Sequence, residues 1–339
     1  MRKLASIQKI EEVAPIEGAD LVEKVRVLGW WVVVKKDSNF KPGNLCVYFE
    51  IDSLLPDIPQ FSFLAKGSKL KKSVIEDGAV VEGYRLKTAK LRGHLSQGLV
   101  LPLSEFPFLP TTALGQDLTS DLKVYKYDPP LPACLSGEAR GYLPGFIPKT
   151  DEDRIQSFPG ILEQFKGKRF SVTVKMDGTS CTVYRMEDDF GVCGRTINFI
   201  ESKRNTFWNI AHRYNLPDKL PKGFAIQAEC CGEGIQKNRH VLKGQDLYIF
   251  YVYDILQGEY LNVDDMILFA KDLGMKTVPI LNDNFILDHT VDELMALADG
   301  PFPYNPSVPR EGLVYRLYDC SSKISFKTIS NEYLVKYGL

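Results

Sequence analysis

The sequence predicts an α+β protein: a small β-barrel in front, followed by a larger, mostly antiparallel domain in which strands alternate with helices. Three observations carry this. At 339 residues the chain exceeds the usual reach of one hydrophobic core, so about two domains are expected. Its first third is filled with short runs of β-formers separated by turn residues. From residue 149 onward, apolar strands alternate with amphipathic stretches of helical period.

Taken in order, "LVEKVRVLGWWVVVKK", "NLCVYFEI", "YRLKTAKLRG" and "QGLVLPLSEF" read as barrel strands, with turns at "KDSNFKPGN" and "EDGAVVEG". The barrel is assigned to residues 1–110. Its last segment, "KLRGHLSQGLVLPL", resembles the matching stretch of oligonucleotide/oligosaccharide-binding (OB) folds, in which Arg-Gly and Ser-Gln-Gly turns lead into an apolar strand. Prolines then multiply ("FPFLP", "DPPLPACL", "YLPGFIP") and periodicity fades, which predicts a semi-rigid connection over 111–148. The second domain, 149–339, holds strands at "RFSVTVK", "CTVYRM", "FGVCGR", "GFAIQAECCG", "LYIFYVYDI", "GLVYRLY" and "KISFK". Helices are expected at "NTFWNIAHRYN", "NVDDMILFAKDLG" and "TVDELMALAD".

Composition excludes several classes. With 44% hydrophobic and 25% charged residues and no long apolar run, the chain is not expected to enter a membrane. Its start, "MRKLASIQKIEE", lacks the apolar core of a secretory signal, so a soluble intracellular protein is expected. The seven cysteines show no Cys-x-x-Cys spacing, which speaks against a disulfide framework or a zinc site and for reduced, buried thiols. None of the four histidines stands at metal-ligand spacing. A net charge of -1 excludes an indiscriminate nucleic-acid coat but permits local patches. Two are present: Lys66, Lys69, Lys71 and Lys72, then Arg85, Lys87, Lys90 and Arg92 with Tyr84 and His94.

The chemistry starts at "KMDG", Lys175 to Gly178. Alone this is most simply a strand running into a turn, with Asp and Gly supplying the turn geometry. A lysine at the end of a buried strand is nevertheless placed to be desolvated and to shed its proton well below its free value of about 10.4. It is then a nucleophile. Asp177 is a ligand suited to a partly hydrated divalent cation, and Gly178 lets the backbone come close to a phosphate. Downstream, Glu229 ends a second apolar strand, "LYIFYVYDI" is an aromatic strand, Glu311 and Gly312 head a fourth, and Lys327 sits on a fifth.

These five pieces in this order resemble the motif set of the covalent nucleotidyltransferases, the ATP-dependent ligases and messenger-RNA capping enzymes. Within them the chain resembles the Deinococcus-type RNA ligases along almost its whole length. In that branch the barrel precedes the catalytic domain and a segment like "KTDEDRIQ" introduces it, supplying Glu152, Arg154 and Gln156 here. DNA ligases and capping enzymes instead place a barrel after the lysine strand. The resemblance implies an OB-type barrel followed by an antiparallel adenylyltransferase domain of the ATP-grasp-like ligase type.

It also implies roles. Lys175 is the nucleophile that takes AMP from ATP, and Asp177, Glu229 and Glu311 grip Mg2+ or Mn2+ through water. Lys327 contacts the α-phosphate, Arg195 the ribose or a phosphate, and Arg154 the departing phosphates, with Gln156 also in the nucleotide-binding set. Gly178 and Lys323 complete the nucleotide-binding set, although Ser325 stands where the pattern often has a second lysine, leaving Lys323 open. Adenine stacks on the aromatic strand. Period two puts Tyr248, Phe250, Val252 and Asp254 on one face, and Phe250 is the chosen stacking partner, with Tyr251 as the alternative. The implied reaction joins 3'-hydroxyl and 5'-phosphate RNA ends at nicks in duplexes, carried out by a monomer whose barrel grips the nucleic acid. The rival readings are a GTP-using capping-type enzyme and a non-catalytic RNA-binding protein.

Overall fold

The computed structural model of the chain describes residues 3–75, 79–91, 93–109, 113–128, 138–318 and 322–339, and counts and absences refer to these residues. The chain forms two compact units. One comprises residues 1–132, 156–159 and Leu339; the other comprises 133–155 and 160–338.

The front unit contains β1 (Ala5–Pro15), β2 (Val22–Val27), β3 (Trp30–Lys35), β4 (Leu45–Phe49), β5 (Ser53–Leu55), β6 (Lys71–Val74), β7 (Val80–Arg85), β8 (Ala89–Leu91), β9 (His94–Ser96), β10 (Leu99–Pro102) and β11 (Tyr125–Lys126). They form sheets in the order β10-β4-β1-β2-β3 and β11-β5-β7-β6, with β8 and β9 as a separate hairpin. Period-two alternation explains the first sheet. Trp30, Val32 and Val34 of β3 enter the core with Val25 and Val27 of β2, while Trp31 and Val33 face outward. Lys24 and Arg26 lie over the Trp31 ring, at 4.6 and 5.8 Å.

The stretch expected as a connection, 111–148, is divided between the units. Gln116 accepts from Ile7 N–H at 2.9 Å, Leu118 donates its N–H to Ala5 at 2.8 Å, and Leu118, Leu122 and Val124 are buried in the barrel core. Their apolar side chains are what recruits the segment. The basic patches are also thinner than the sequence implies. Lys66, Lys69, Lys71, Lys72, Lys87 and Lys90 are exposed, but Arg85 is paired with Asp52 at 2.6 Å and Tyr84 is buried, donating to Asp57. Arg92 lies outside the described residues.

The rear unit is α+β. Its strands are β12 (Ala139–Tyr142), β13 (Arg169–Lys175), β14 (Thr179–Met186), β15 (Asp189–Cys193), β16 (Ile197–Phe199), β17 (Phe224–Gly232), β18 (Gln245–Asp254), β19 (Glu259–Tyr260), β20 (Lys276–Thr277), β21 (Ile280–Ile286), β22 (Pro301–Phe302), β23 (Asn305–Pro309), β24 (Gly312–Leu317) and β25 (Ser325–Ile329). Its helices are α1 (Gly160–Gln164), α2 (Thr206–Arg213), α3 (Leu216–Lys219), α4 (Val263–Asp272), α5 (Val291–Ala298) and α6 (Asn331–Tyr337). The three helices expected from periodicity are α2, α4 and α5. Each starts where a side chain caps it: Asn205, Asn262 and Thr290, the last in a capping box with Glu293.

Two sheets frame this unit. A large one runs β12-β16-β15-β14-β17-β18-β19, with β20 beside β18; a smaller one runs β21-β13-β24-β25. Cys181, Val183, Ile226, Ala228, Leu247 and Ile249 pack one face of the large sheet against Trp208 of α2 and Met266 of α4. The opposite face carries the polar chemistry. No helix is long and apolar enough to cross a membrane. The described cysteines, Cys46, Cys181, Cys193, Cys230 and Cys231, are free and buried.

Candidate active site

Backbone pairing alone brings three of the expected residues together. Lys175, at the end of β13, stands opposite Gly312 of β24, and Val314 of β24 stands opposite Lys327 of β25. Glu311, just ahead of β24, therefore reaches the lysine: Nζ donates to Oε1 at 2.7 Å, with both side chains largely buried. The "KMDG" turn then carries the chain across to the large sheet, where Ser180 of β14 faces Glu229 of β17.

That crossing explains the glycine. A Cβ on Gly178 would sit 2.3 Å from the Cys230 carbonyl oxygen, 2.6 Å from Cys231 Sγ and 2.9 Å from Glu229 Cγ. A close approach demanded of Gly178 is thus to β17, and it sets Glu229 beside the motif.

Protonation departs from expectation at Lys175. Burial opposes the Lys175 charge, as foreseen, but Glu311, Glu229 and Asp177 together outweigh it and hold its pKa above the ordinary lysine value. In the pocket as it stands, Lys175 is an ammonium. The depressed lysine is Lys327, pushed down to about 7 by burial and by the positive charges of Lys175 and Arg154. Glu229 moves the other way, pushed up to about 8 by burial; Lys175 draws it back, Glu311 and Asp177 add to the rise, and a hydrogen bond from Gly178 tempers it.

The acids fit a divalent cation. Three carboxylates crowd together, Glu229 is driven toward protonation by burial with the other two adding to the rise, and the buried Glu311 Oε2 has no hydrogen-bond partner. Positive charge relieves all of this. Among the described residues no three His, Cys, Asp or Glu side chains converge tightly enough to cage a metal directly. Such a set suits a cation that keeps part of its water. Asp177 is held meanwhile by Arg239, whose Nη1 lies 3.1 Å from each carboxylate oxygen.

On the aromatic strand, a bulge overturns the face assignment. β17 and β18 pair Gln227 with Tyr251 but Ala228 with Ile249, so Phe250 is the extra residue. Beyond the bulge the phase shifts. Val252 joins Leu247 and Ile249 on the helix-packed face, while Tyr248 and Phe250 turn toward Val174 and Met176 of the lysine strand and turn. Phe250 keeps a half-buried ring there, available to a flat base. Tyr251 is committed elsewhere: buried, its hydroxyl donates to Glu152 at 2.8 Å, and the Arg316 guanidinium lies 4.7 Å over its ring.

Glu152 organises the far side of the lysine strand, accepting from Ser325 Oγ at 2.5 Å and pairing with Lys323 at 3.3 Å. Lys323 also donates to the Asp151 carbonyl, so its charge is spent within this group. Arg154 lies alongside Lys327 through a parallel bridge, and Lys327 N–H donates to Asp153. Arg195 is half exposed and paired with Asp151 at 3.0 Å. Gln156 is buried and belongs to the front unit, where its carbonyl accepts from Gly29 N–H. Sequence reading missed Arg239, Glu152 as an organiser, and Tyr333, whose buried phenol is raised further by Glu311 and Asp177. Arg239 and Tyr333 stand in segments with no motif around them, so no pattern could have found them.

Comparison with known proteins places this geometry. Residues 168–329 match a family model described as RNA ligase, and residues 4–103 match one described as an OB-fold domain. Among solved structures, Naegleria gruberi RNA ligase with PPi is similar at 43% identity and TM-score 0.86, covering 100% of this chain and 99% of that one. A lysine-to-alanine mutant of that ligase with ATP and Mn is similar at 42% identity and TM-score 0.86, over 98% and 99% of the two chains. A glutamate-to-alanine mutant with AMP and Mn gives 42% identity and TM-score 0.86 over 99% of each. No curated protein sequence matches.

Proposed function

The chain belongs to the RNA ligase family, and from that premise we propose that it uses ATP to join a 3'-hydroxyl and a 5'-phosphate RNA end, passing through AMP bound covalently to Lys175. The observation that carries this is the convergence of Lys175, Glu311, Glu229 and Asp177, with the depressed Lys327 on the same small sheet. The Naegleria structures with ATP, AMP, PPi and Mn support the choice of nucleotide and cation.

In the first step Lys175 Nζ attacks the α-phosphorus: an N–P bond forms and the P–O bond to pyrophosphate breaks. An ammonium has no lone pair to attack with, so a proton leaves Nζ, and Glu311 Oε1 at 2.7 Å is the acceptor in reach. The same contact aims Nζ. Phe250 stacks on adenine, and Lys327, beside Arg154, contacts the α-phosphate. Asp177, Glu229 and Glu311 would hold Mg2+ or Mn2+, which would neutralise charge on the pyrophosphate as it leaves. AMP then moves to the RNA 5'-phosphate, forming a P–O–P bond as the N–P bond breaks. Attack of the 3'-hydroxyl on that phosphorus closes the phosphodiester and releases AMP.

The exposed lysines of the barrel grip the nucleic acid by shape and phosphate, with affinity that falls as salt rises. To test the central step, the protein is mixed with α-labelled ATP and Mg2+ or Mn2+, denatured, and inspected for label, with Lys175→Ala alongside. Label that survives denaturation and is absent from the variant is expected. Label from GTP in place of ATP would move the protein to the capping-type enzymes, and no label from either would leave a non-catalytic RNA-binding protein.

A further inference from the structure

Arg239 has no counterpart among the motif residues, yet it forms an ion pair with Asp177. Its Nη1 lies 3.1 Å from both Oδ1 and Oδ2, and the two side chains are 14% and 12% exposed. A buried ion pair of this kind contributes little net stability, because desolvating both charges offsets their attraction. Stability alone does not account for it.

The backbone around Arg239 is costly as well. Gln236, Asn238 and Val241 all take positive φ, +48°, +42° and +55°, in the region that disfavours side chains, and for a β-branched valine this is a true outlier. Strain of this kind persists only where surroundings impose it, and it gathers at functional sites. Here the surroundings are visible. Asn238 brackets the turn, donating from Nδ2 to the Leu242 carbonyl at 2.9 Å and accepting Leu242 N–H at 3.0 Å. Tyr337 of α6 donates to the Arg239 carbonyl at 3.3 Å and stacks under its guanidinium at 5.5 Å. His240 lies flat on Phe302, ring centroids 3.9 Å apart, and Asn305 Nδ2 donates to its carbonyl. Most of these contacts fall on residues flanking Arg239 or on its backbone, and the Tyr337 ring backs its side chain, so together they aim this one guanidinium.

We propose that Arg239 is a positioning residue that competes with the divalent cation for Asp177: guanidinium and hydrated cation occupy the carboxylate alternately, so the loop sets how tightly the pocket holds its metal. This rests on the reading of Asp177 as part of the cation grip. One guanidinium nitrogen engages both oxygens and so occupies the side of the carboxylate between them, and two positive charges so close repel each other. Helix α6 belongs to the device through Tyr337.

The test measures free Mn2+ by electron paramagnetic resonance in titrations of the full-length protein with α,β-methylene ATP, which cannot be cleaved. Arg239→Gln should bind Mn2+ about tenfold more tightly than the unsubstituted chain, the usual scale for coupling between adjacent sites. Arg239→Lys, which keeps the charge, should fall between the two. In an Asp177→Asn background the Arg239→Gln effect should vanish. Weaker or unchanged Mn2+ binding in Arg239→Gln overturns the proposal, as does a tightening that persists without the Asp177 carboxylate. If Asp177→Asn alone leaves Mn2+ affinity intact, the reading of Asp177 as a cation residue fails first, which is a separate result. Should Arg239→Gln not fold, Tyr337→Phe loosens the brace while keeping the charge and should tighten Mn2+ binding in the same direction, by less; no change there counts against the proposal.

Discussion

Replacing Lys327 with methionine should stabilise the protein while abolishing its labelling by ATP. Burial and the neighbouring Lys175 and Arg154 charges push Lys327 down from 10.5 to about 7, so native and unfolded chains bind its proton differently across that interval. Above pH 10.5 the side chain is neutral in both states and carries no penalty. As pH falls from there toward 7, the unfolded chain takes up the proton and the native chain does not. The penalty grows across that window and is complete below it. A fall of about 3.5 at about 1.4 kcal/mol each gives a ceiling of about 5 kcal/mol. Because the side chain keeps partial contact with water, roughly 1–3 kcal/mol is the working expectation. Methionine has a similar unbranched shape and fills the same space. A gain of about 2 kcal/mol should raise the melting temperature by about 4–8 °C at pH 7. Melting curves at pH 7, 9 and 10.5, with the labelling assay beside them, read both effects. A variant that is less stable at pH 7, or whose gain is the same at every pH, would show that Lys327 is not a destabilised charge and refute the reasoning.

The pH dependence of labelling should rise with pH as the Lys175 ammonium, held above its ordinary range, gives up its proton. In Glu311→Gln, slower overall, that rise should move to lower pH, because burial is then opposed by fewer negative charges; an unmoved midpoint would sink the assignment. Gly178→Ala drives a Cβ to 2.3 Å from the Cys230 carbonyl, so a loss of roughly 1–3 kcal/mol in urea unfolding is expected, with impaired labelling; full stability would mean that β17 gives way freely. Glu152→Ala leaves Tyr251 and Ser325 without their acceptor and should lose about 1–3 kcal/mol with weaker ATP use, seen as a higher KM. Phe250→Ala should raise KM for ATP several-fold and Phe250→Trp should restore it, since a flat ring is what stacking requires.

Much of the chemistry could be read from the chain because pairing register turns motif spacing into distance. Lys175 and Glu311 are 136 positions apart in sequence, yet β13 and β24 lie side by side and set the two groups at 2.7 Å. The α+β architecture, the barrel and the helices α2, α4 and α5 were legible for the same reason, since periodicity is a local property. What sequence could not supply depends on three-dimensional detail. A single extra residue at Phe250 reversed the faces of half a strand. The charge state of Lys175 is a balance of burial against three carboxylates, which motif spacing cannot weigh. Arg239 meets Asp177 from a loop, backed by Tyr337 of α6, and neither segment has a motif to announce it. The 111–148 stretch looked like a connection because proline masks the few apolar residues, such as Leu118 and Val124, that tie part of it to the barrel.

The passage of the chain from the small sheet to the large one at Met176–Gly178 has a consequence for the spacing of the pocket. Within each sheet, distances are fixed by backbone ladders, so Lys175, Glu311 and Lys327 share one frame, while Glu229 and Phe250 belong to the other. The motif turn is not the sole tie between the frames: Val278 N–H bonds to Ile249 of the large sheet, and Pro279, the next residue, accepts from Val174 of the small one. Backbone thus registers the two walls of the pocket against each other at two places. The spacing from Lys175 to Glu229 is a property of the fold before any ligand arrives.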